Sequence, residues 1–199
     1  GATAAVASNY LGAGPTNAMD VSSVLNVALL SGSISSVSEM ALFNGANHFA
    51  YGEPGRWEII AARTVALQSD GTYNLSNLLR GRFGTEWAMT THVALDDVIL
   101  LTPGSLNFAA QPTSSISSAR QWTILGYGDS GAQQNSRTFT YAGENLECLS
   151  PVFVQAFQAI GGDWTINWVR RTRIDGEWRD YVDVAIGESA ENYAVEIYT

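Results

Sequence analysis

Apolar and polar residues alternate along most of the chain with a period of two, the pattern of β-strands with one buried face. Between residues 57 and 67 most odd positions are apolar, so Glu58 is assigned to the opposite, polar face. Asp70 and Gly71 then separate this segment from a second one at 73–79. An Asp-Gly pair between two such segments predicts a β-hairpin with a tight turn.

Further short segments are rich in β-branched or aromatic residues and are bounded by Gly, Asp, Asn, Ser or Pro. These predicted strands are residues 24–30, 97–102, 121–127, 137–141, 152–157, 164–169 and 192–198. A helical turn is expected at 36–44, where Val37, Met40 and Ala41 have helical spacing and Gly45 can end the helix. The sequence therefore predicts a mostly β fold, an antiparallel β-barrel or sandwich.

A polar segment at 143–151 is the best candidate for a domain boundary, because its final proline opens a new strand. We therefore predict a β-rich domain at 1–149 and a second, partial β-sandwich at 150–199. The opening residues, 1–17, are small, polar and loop-like, and they hold no signal segment. We expect the chain to be a piece of a longer polypeptide.

The second predicted domain carries a strongly alternating strand. Trp164, Ile166 and Trp168 alternate with polar residues, which requires one buried face. We expect both indoles to be largely buried, and Arg171 and Arg173 to be exposed.

Composition narrows the function classes. Nineteen acidic against ten basic residues give a net charge of −9, which disfavours a sequence-independent grip on nucleic acid. The apolar runs are too short for a membrane span. The single cysteine, Cys148, excludes an internal disulfide, and the absence of lysine excludes Schiff-base chemistry.

The segment 78–87 concentrates unusual residues, because two glycines alternate with two arginines before Glu86 and Trp87. One interpretation is an anion or acidic-glycan site, since arginine offers a rigid fork for such groups. The other is a strand that leaves the core through a tight loop. In that case we expect at least one of Arg80 and Arg82 to bond within the loop, to Glu86 or to backbone carbonyls.

Tryptophans could also form a platform for glycans. Trp57 and Trp122 are in phase with apolar neighbours and are expected in a core. Trp87 and Trp178 lie in polar surroundings and are the better candidates for surface contact.

Catalytic and metal-binding patterns are weak. His92 with Asp96 and Asp97 could suggest a metal or acid–base pair, but metal sites usually need three or four ligands. No Gly-x-Ser-x-Gly elbow is present, and the nineteen acids leave a glycosidase pair unconstrained. We assign no catalytic, cofactor-binding or metal-binding residue.

Several motifs together resemble the central tail-tip, or baseplate-hub, proteins of long-tailed phages and phage-derived gene transfer agents. The matching segments are 24–27, 29–32, 35–37, 44–47, 58–60, 73–82, 84–87, 91–92 and 98–101. Residues 164–179 and 193–196 are similar to the opening strands of a fibronectin type III-like module in the same proteins. Phe83 departs from the pattern, which has an arginine there.

The resemblance implies a structural virion component, located at the tail tip and made in the bacterial host cytoplasm. It further implies a homotrimer in the full-length protein that contacts other tail and baseplate proteins and a host surface glycan or protein. It brings no catalytic residue. Two other classes stay open: a carbohydrate-binding module using Arg82, Trp87 and Trp178, and a glycan hydrolase.

Overall fold

The computed structural model of the chain describes residues 2–102, 110–124, 135–173 and 182–196. Two compact units, Gly1–Leu146 and Glu147–Thr199, make up the chain, and each is described by itself.

A closed barrel of six antiparallel strands forms the larger part of the first unit. The strands are β1 (Ala4–Ala7), β2 (Asp20–Ser31), β3 (His48–Gly52), β4 (Glu58–Leu67), β5 (Tyr73–Arg82) and β6 (Asp97–Leu100). They are hydrogen-bonded in the order β1-β2-β5-β4-β3-β6, and β6 pairs with β1 to close the barrel. The prediction of a mostly β fold built on an antiparallel barrel is confirmed.

The barrel interior is packed with apolar side chains from every strand. Leu25, Phe49, Ile60 and Leu78 are among its fully buried members. A smaller cluster outside the barrel covers the opposite face of β4 and β5, and it contains Leu42, Ala61 and Leu79. Both faces of these two strands are therefore buried where the clusters overlap.

The predicted turns are present. Asp70 accepts hydrogen bonds from the backbone and side chain of Thr72, and Gly71 has a φ of 85° in the turn between β4 and β5. The predicted helical turn is α1 (Glu39–Phe43), and Ser38 caps it by accepting from the Ala41 N–H. The hairpin turn and the helical turn therefore form where the sequence predicts them.

Two small hairpins complete the fold. In the first unit β7 (Ala119–Ile124) pairs with β8 (Asn135–Thr140), and in the second unit β9 (Val152–Gln158) pairs with β10 (Trp164–Val169). Short 3-10 turns occur at Glu86–Thr90, Thr113–Ser115 and Glu144–Leu146. Residues 125–127, at the end of the strand predicted at 121–127, lie outside the described residues.

The structure corrects the prediction in four places. β1 lies within the segment 1–17 that was expected to be a loop, and β3 was not predicted. Residues 192–196 are irregular, so the predicted strand 192–198 is wrong over the part that is described. Glu58 points into the barrel with Ile60 and Ala62, so the predicted phase of this strand is also wrong.

The prediction that both indoles of the second unit are largely buried is wrong for Trp164 and only partly met by Trp168. Trp164 is 52% exposed, and Trp168 is half-buried with its ring centroid 4.8 Å from that of Tyr193. The described residues of this unit form one two-stranded sheet. Residues 192–196 lie beside Trp168 and cover part of its ring, but they do not cover Trp164. Arg173 is exposed as expected, whereas Arg171 is half-buried.

Trp122, which was expected in a core, is 39% exposed. It lies on a hairpin of two strands, β7 and β8, which is too small to bury both of its faces.

Candidate functional site

A fully buried ion pair joins two neighbouring barrel strands. Arg80 on β5 donates from Nε to Glu58 Oε1 at 2.7 Å and from Nη2 to Oε2 at 2.9 Å, with both side chains inaccessible to solvent. This two-pronged geometry is the strongest arrangement for an arginine and a carboxylate. The pair fixes β4 against β5 at the end of the barrel.

A β-bulge turns Arg80 inward. The register between β4 and β5 shifts between Ile59 and Ala61, opposite Arg80 and Gly81. Gly81 has a φ of 56°, and its N–H donates to Glu58 Oε1 at 2.9 Å. A Cβ at this position would lie 2.5 Å from Glu86 Cγ, so the tight loop requires glycine.

The opening segment of the chain covers this pair. The carbonyl oxygen of Gly12 accepts from Arg80 Nη2 at 3.0 Å, and the Leu11 N–H donates to the Tyr51 hydroxyl at 3.3 Å. Asp20 Oδ2 lies 3.7 Å from Arg80 Nη1, while its Oδ1 accepts from the N–H groups of Ser22 and Ser23. The guanidinium is therefore enclosed by three separate segments.

His92 extends the pair toward a second one. Its Nε2 lies 2.8 Å from Glu58 Oε2, and its Nδ1 lies 3.2 Å from Asp96 Oδ2. Asp96 is held in turn by both terminal nitrogens of Arg56. Both imidazole nitrogens therefore face carboxylate oxygens, one on Glu58 and one on Asp96.

Tyr51 stacks on His92 with ring centroids 3.8 Å apart and an interplanar angle of 16°. Burial raises the pKa of Tyr51 to about 12, with a further contribution from the nearby Asp96 and Glu58 charges.

We call the connected side chains the ionic network: Asp20, Arg56, Glu58, Arg80, His92 and Asp96. It contains three carboxylates, two guanidinium groups and one imidazole.

The carboxyl groups of the network titrate below their ordinary range. Burial raises the pKa of Glu58, but hydrogen bonds from His92 and Arg80 and the Arg80 charge outweigh burial and lower it overall. Burial likewise raises the pKa of Asp96, and the hydrogen bond from Arg56 is the largest effect that lowers it below the usual value. Both groups are therefore ionised in the folded chain at neutral pH.

The network joins strands and loops of the barrel through buried side chains. Glu58, His92 and Asp96 have no solvent-accessible side-chain surface, and each is engaged with the others. Within the described ranges, no group of three or more His, Cys, Asp or Glu residues could hold a metal ion. His92 and Asp96, which the sequence paired, are brought together at 3.2 Å inside the barrel.

The structure separates the residues that the sequence placed in one loop site. Arg80 is buried inside the barrel, and its partners lie on β4 and in the opening segment. Arg80 therefore bonds outside its own loop, and the expectation that at least one of Arg80 and Arg82 bonds within the loop stays a prediction for Arg82. Arg82 and Glu86 are half-buried, Trp87 is 39% exposed, and Trp178 lies outside the described residues.

Trp87 belongs to a second feature, a groove between the loop after β5 and the segment after β8. Its aromatic members are Trp57, Phe83, Trp87, Phe139 and Tyr141, and its polar members include Thr140, Glu144 and Asn145. We call this cavity of about 370 Å³ the aromatic groove. The Tyr141 hydroxyl donates to Asn145 Oδ1 at 2.6 Å, which joins the aromatic wall to the polar rim.

Sequence reasoning missed Glu58, Asp20 and the groove residues Phe139 and Tyr141. Glu58 and Arg80 are 22 positions apart, and Gly12 and Arg80 are 68 apart. No local spacing signals such partners. A charged residue in an otherwise apolar strand, directly before Ile59 and Ile60, was the one available hint for Glu58.

The fold and the network define a class of protein: a mostly β chain whose first unit is a six-stranded barrel braced by internal ion pairs. Residues 2–99 match the family described as Rcc01698-like, C-terminal. The match takes in β1 to β5 and most of β6, just under half of the chain. No curated protein matches the chain.

Within the part of the chain that the structure describes, no helix has the length and apolarity to cross a membrane.

Proposed function

We propose that this chain is a structural part of the tail tip of a long-tailed phage or a gene transfer agent, acting by protein–protein assembly and host attachment. The observation that carries the proposal is one motif, which lies in the region that the family model matches. The string at 73–87 resembles tail-tip hub proteins, and the same region falls within the Rcc01698-like match.

The chemistry of the barrel supports a non-enzymatic role. The histidine and carboxylates that could form a catalytic pair, His92, Glu58 and Asp96, are buried and bonded to one another. A barrel closed on itself also has no free edge, which suits a rigid building block in a large assembly.

Exposed apolar surface on the second unit supports protein–protein contact. The face of its sheet that carries Trp164 also carries Val154, which is exposed, and Ile166, which is half-buried. Contiguous exposed apolar side chains of this kind mark interaction surfaces. In the proposed assembly, neighbouring domains or other tail and baseplate proteins cover this face, and the full-length protein is a trimer at the tail tip.

Immunogold labelling tests the location. Antibodies raised against the purified chain should label the distal end of the tail on intact particles from the producing bacterium. Label on the head, or on no particle at all, would overturn the proposal. Antibodies against a major head protein from the same particles provide the matched control.

A further inference from the structure

Phe83 is held in an unfavourable backbone conformation while its side chain faces solvent. Its φ is 58°, in the left-handed region that bulky residues rarely adopt, and the side chain is 72% exposed. Its recorded ring neighbours, His48 and Arg82, lie 5.6 Å and 5.9 Å away. Strained backbone conformations of this kind cluster at functional sites.

The strained residue lines a cavity. Phe83 lines the aromatic groove together with Trp87 and Phe139, and Phe139 is 52% exposed. The three rings come from the loop after β5, a 3-10 turn and β8, so three separate segments contribute aromatic surface to one cavity. Polar side chains stand beside these rings at Thr140, Glu144 and Asn145.

The size and charge of the groove select among ligands. A volume of about 370 Å³ falls in the range of about 300–1,000 Å³ that small-molecule sites have. Among the described residues that line the groove, Glu144 is the one charged side chain, and no arginine is present. The Glu144 carboxylate would repel a phosphate, a nucleotide or an acidic sugar, which disfavours anionic ligands.

We propose that the aromatic groove binds a neutral saccharide. Sugar rings present apolar C–H faces that pack on aromatic rings, and hydroxyl edges that bond to carboxylate, amide and hydroxyl groups. The groove offers both kinds of surface side by side, with Phe83 and Trp87 as the stacking rings and Glu144 and Asn145 at the polar rim.

This inference names the class of molecule that host attachment would recognise. It is argued from the aromatic groove and does not depend on the proposed location in the tail. A saccharide-binding chain that is absent from tails would overturn the proposed location and leave the groove intact. A chain that lies at the tail tip but binds no saccharide would overturn the groove proposal and leave the proposed location intact.

An oligosaccharide array probed with the full chain tests the proposal, with neutral and uronic-acid-containing saccharides on the same slide. We expect binding to neutral members, and titration of the best one should quench tryptophan fluorescence. Phe83→Gly removes a stacking ring, so the affinity should fall about tenfold. Its melting temperature should stay equal or rise, because glycine adopts a φ of 58° without strain.

Phe139→Ala should weaken binding in the same way, and it removes a ring from a different segment. The matched control is Phe43→Ala, since Phe43 is 57% exposed on α1 and does not line the groove. This control should bind like the original chain. Failure to bind any neutral saccharide, binding of acidic saccharides alone, or unchanged affinity in both groove variants would overturn the proposal.

Discussion

Arg80 and Glu58 are joined inside the barrel by two hydrogen bonds, of 2.7 Å and 2.9 Å, although 22 positions separate them in the chain. Neither side chain has any accessible surface. The loop 81–87, which the sequence singled out, therefore begins from a fixed point rather than from a free strand end. The properties of this pair lead to the first two predictions.

Arg80→Ala should destabilise the chain strongly, because it leaves the Glu58 charge buried beside His92 with its main cation removed. Loss of one partner of a buried pair costs about 3–5 kcal/mol in free energy of unfolding. Urea unfolding followed by fluorescence measures the effect.

Arg63→Ala is the matched control. Arg63 pairs with Glu39 at 2.9 Å, but 43% and 52% of the two side chains are exposed. An exposed pair contributes about 0–1 kcal/mol, so this variant should be nearly neutral. Equal losses in the Arg80 and Arg63 variants would contradict the structural role of the ionic network.

Stability should fall in acid. The pKa values of Glu58 and Asp96 lie below their ordinary values in the folded chain, so the unfolded chain takes up protons first as the pH falls. Their stabilisation is complete above the unfolded pKa values of about 4, and it is lost as the pH falls through the lower folded values. Urea unfolding at a series of pH values from about 7 to about 3 measures this dependence.

Glu58→Gln should flatten that acid dependence, since it removes one of the titrating groups. Asp96→Asn provides an independent test at the other end of His92. A free energy of unfolding that rises as the pH falls through this window would contradict the assignment of ionised, stabilised carboxylates.

Gly81→Ala should destabilise the barrel by more than Gly71→Ala. Both glycines have positive φ, at 56° and 85°, so both substitutions strain the backbone by about 1–2 kcal/mol. A Cβ at Gly81 would also lie 2.7 Å from Met89 Cε, whereas nothing lies within 4 Å at Gly71. Thermal melting of the two variants compares them directly. Equal decreases in melting temperature would mean that the loop accommodates the Cβ at position 81 without loss of stability.

Trp164→Ser should reduce self-association of the purified chain. Trp164 is 52% exposed on the apolar face of the sheet in the second unit, where contacts between molecules can bury it. Sedimentation velocity at increasing concentration measures the effect, with Phe43→Ser on α1 as the control. Unchanged association in the Trp164 variant would show that this face is not the surface through which the molecules associate.

Elements fixed by local chemistry could be predicted from the sequence. The hairpin around Asp70 and Gly71 and the helix capped by Ser38 depend on residues a few positions apart, and both are present. The barrel was one of two options because strand alternation does not determine how a sheet closes. β3 escaped prediction because its five residues, His48–Gly52, are buried or nearly so on both faces and show no alternation.

The internal charges could not be predicted, because hydrophobic patterning assigns every carboxylate to the solvent face. Glu58 is inside because Arg80, His92 and the Gly81 N–H all bond to it, and these groups come from other segments. The aromatic groove has the same origin, since Phe83 and Phe139 meet only through the fold. Exposure of Trp164 was missed because alternation indicates an apolar face, not whether something covers it.

A cryo-electron microscopy reconstruction of the tail tip, from particles of the producing bacterium, tests the central claim most directly. We expect three copies of the six-stranded barrel of β1 to β6 around the tail axis, with density for the paired side chains of Arg80 and Glu58 inside each. A tip fully explained by other proteins, with no density that fits this barrel, would contradict it.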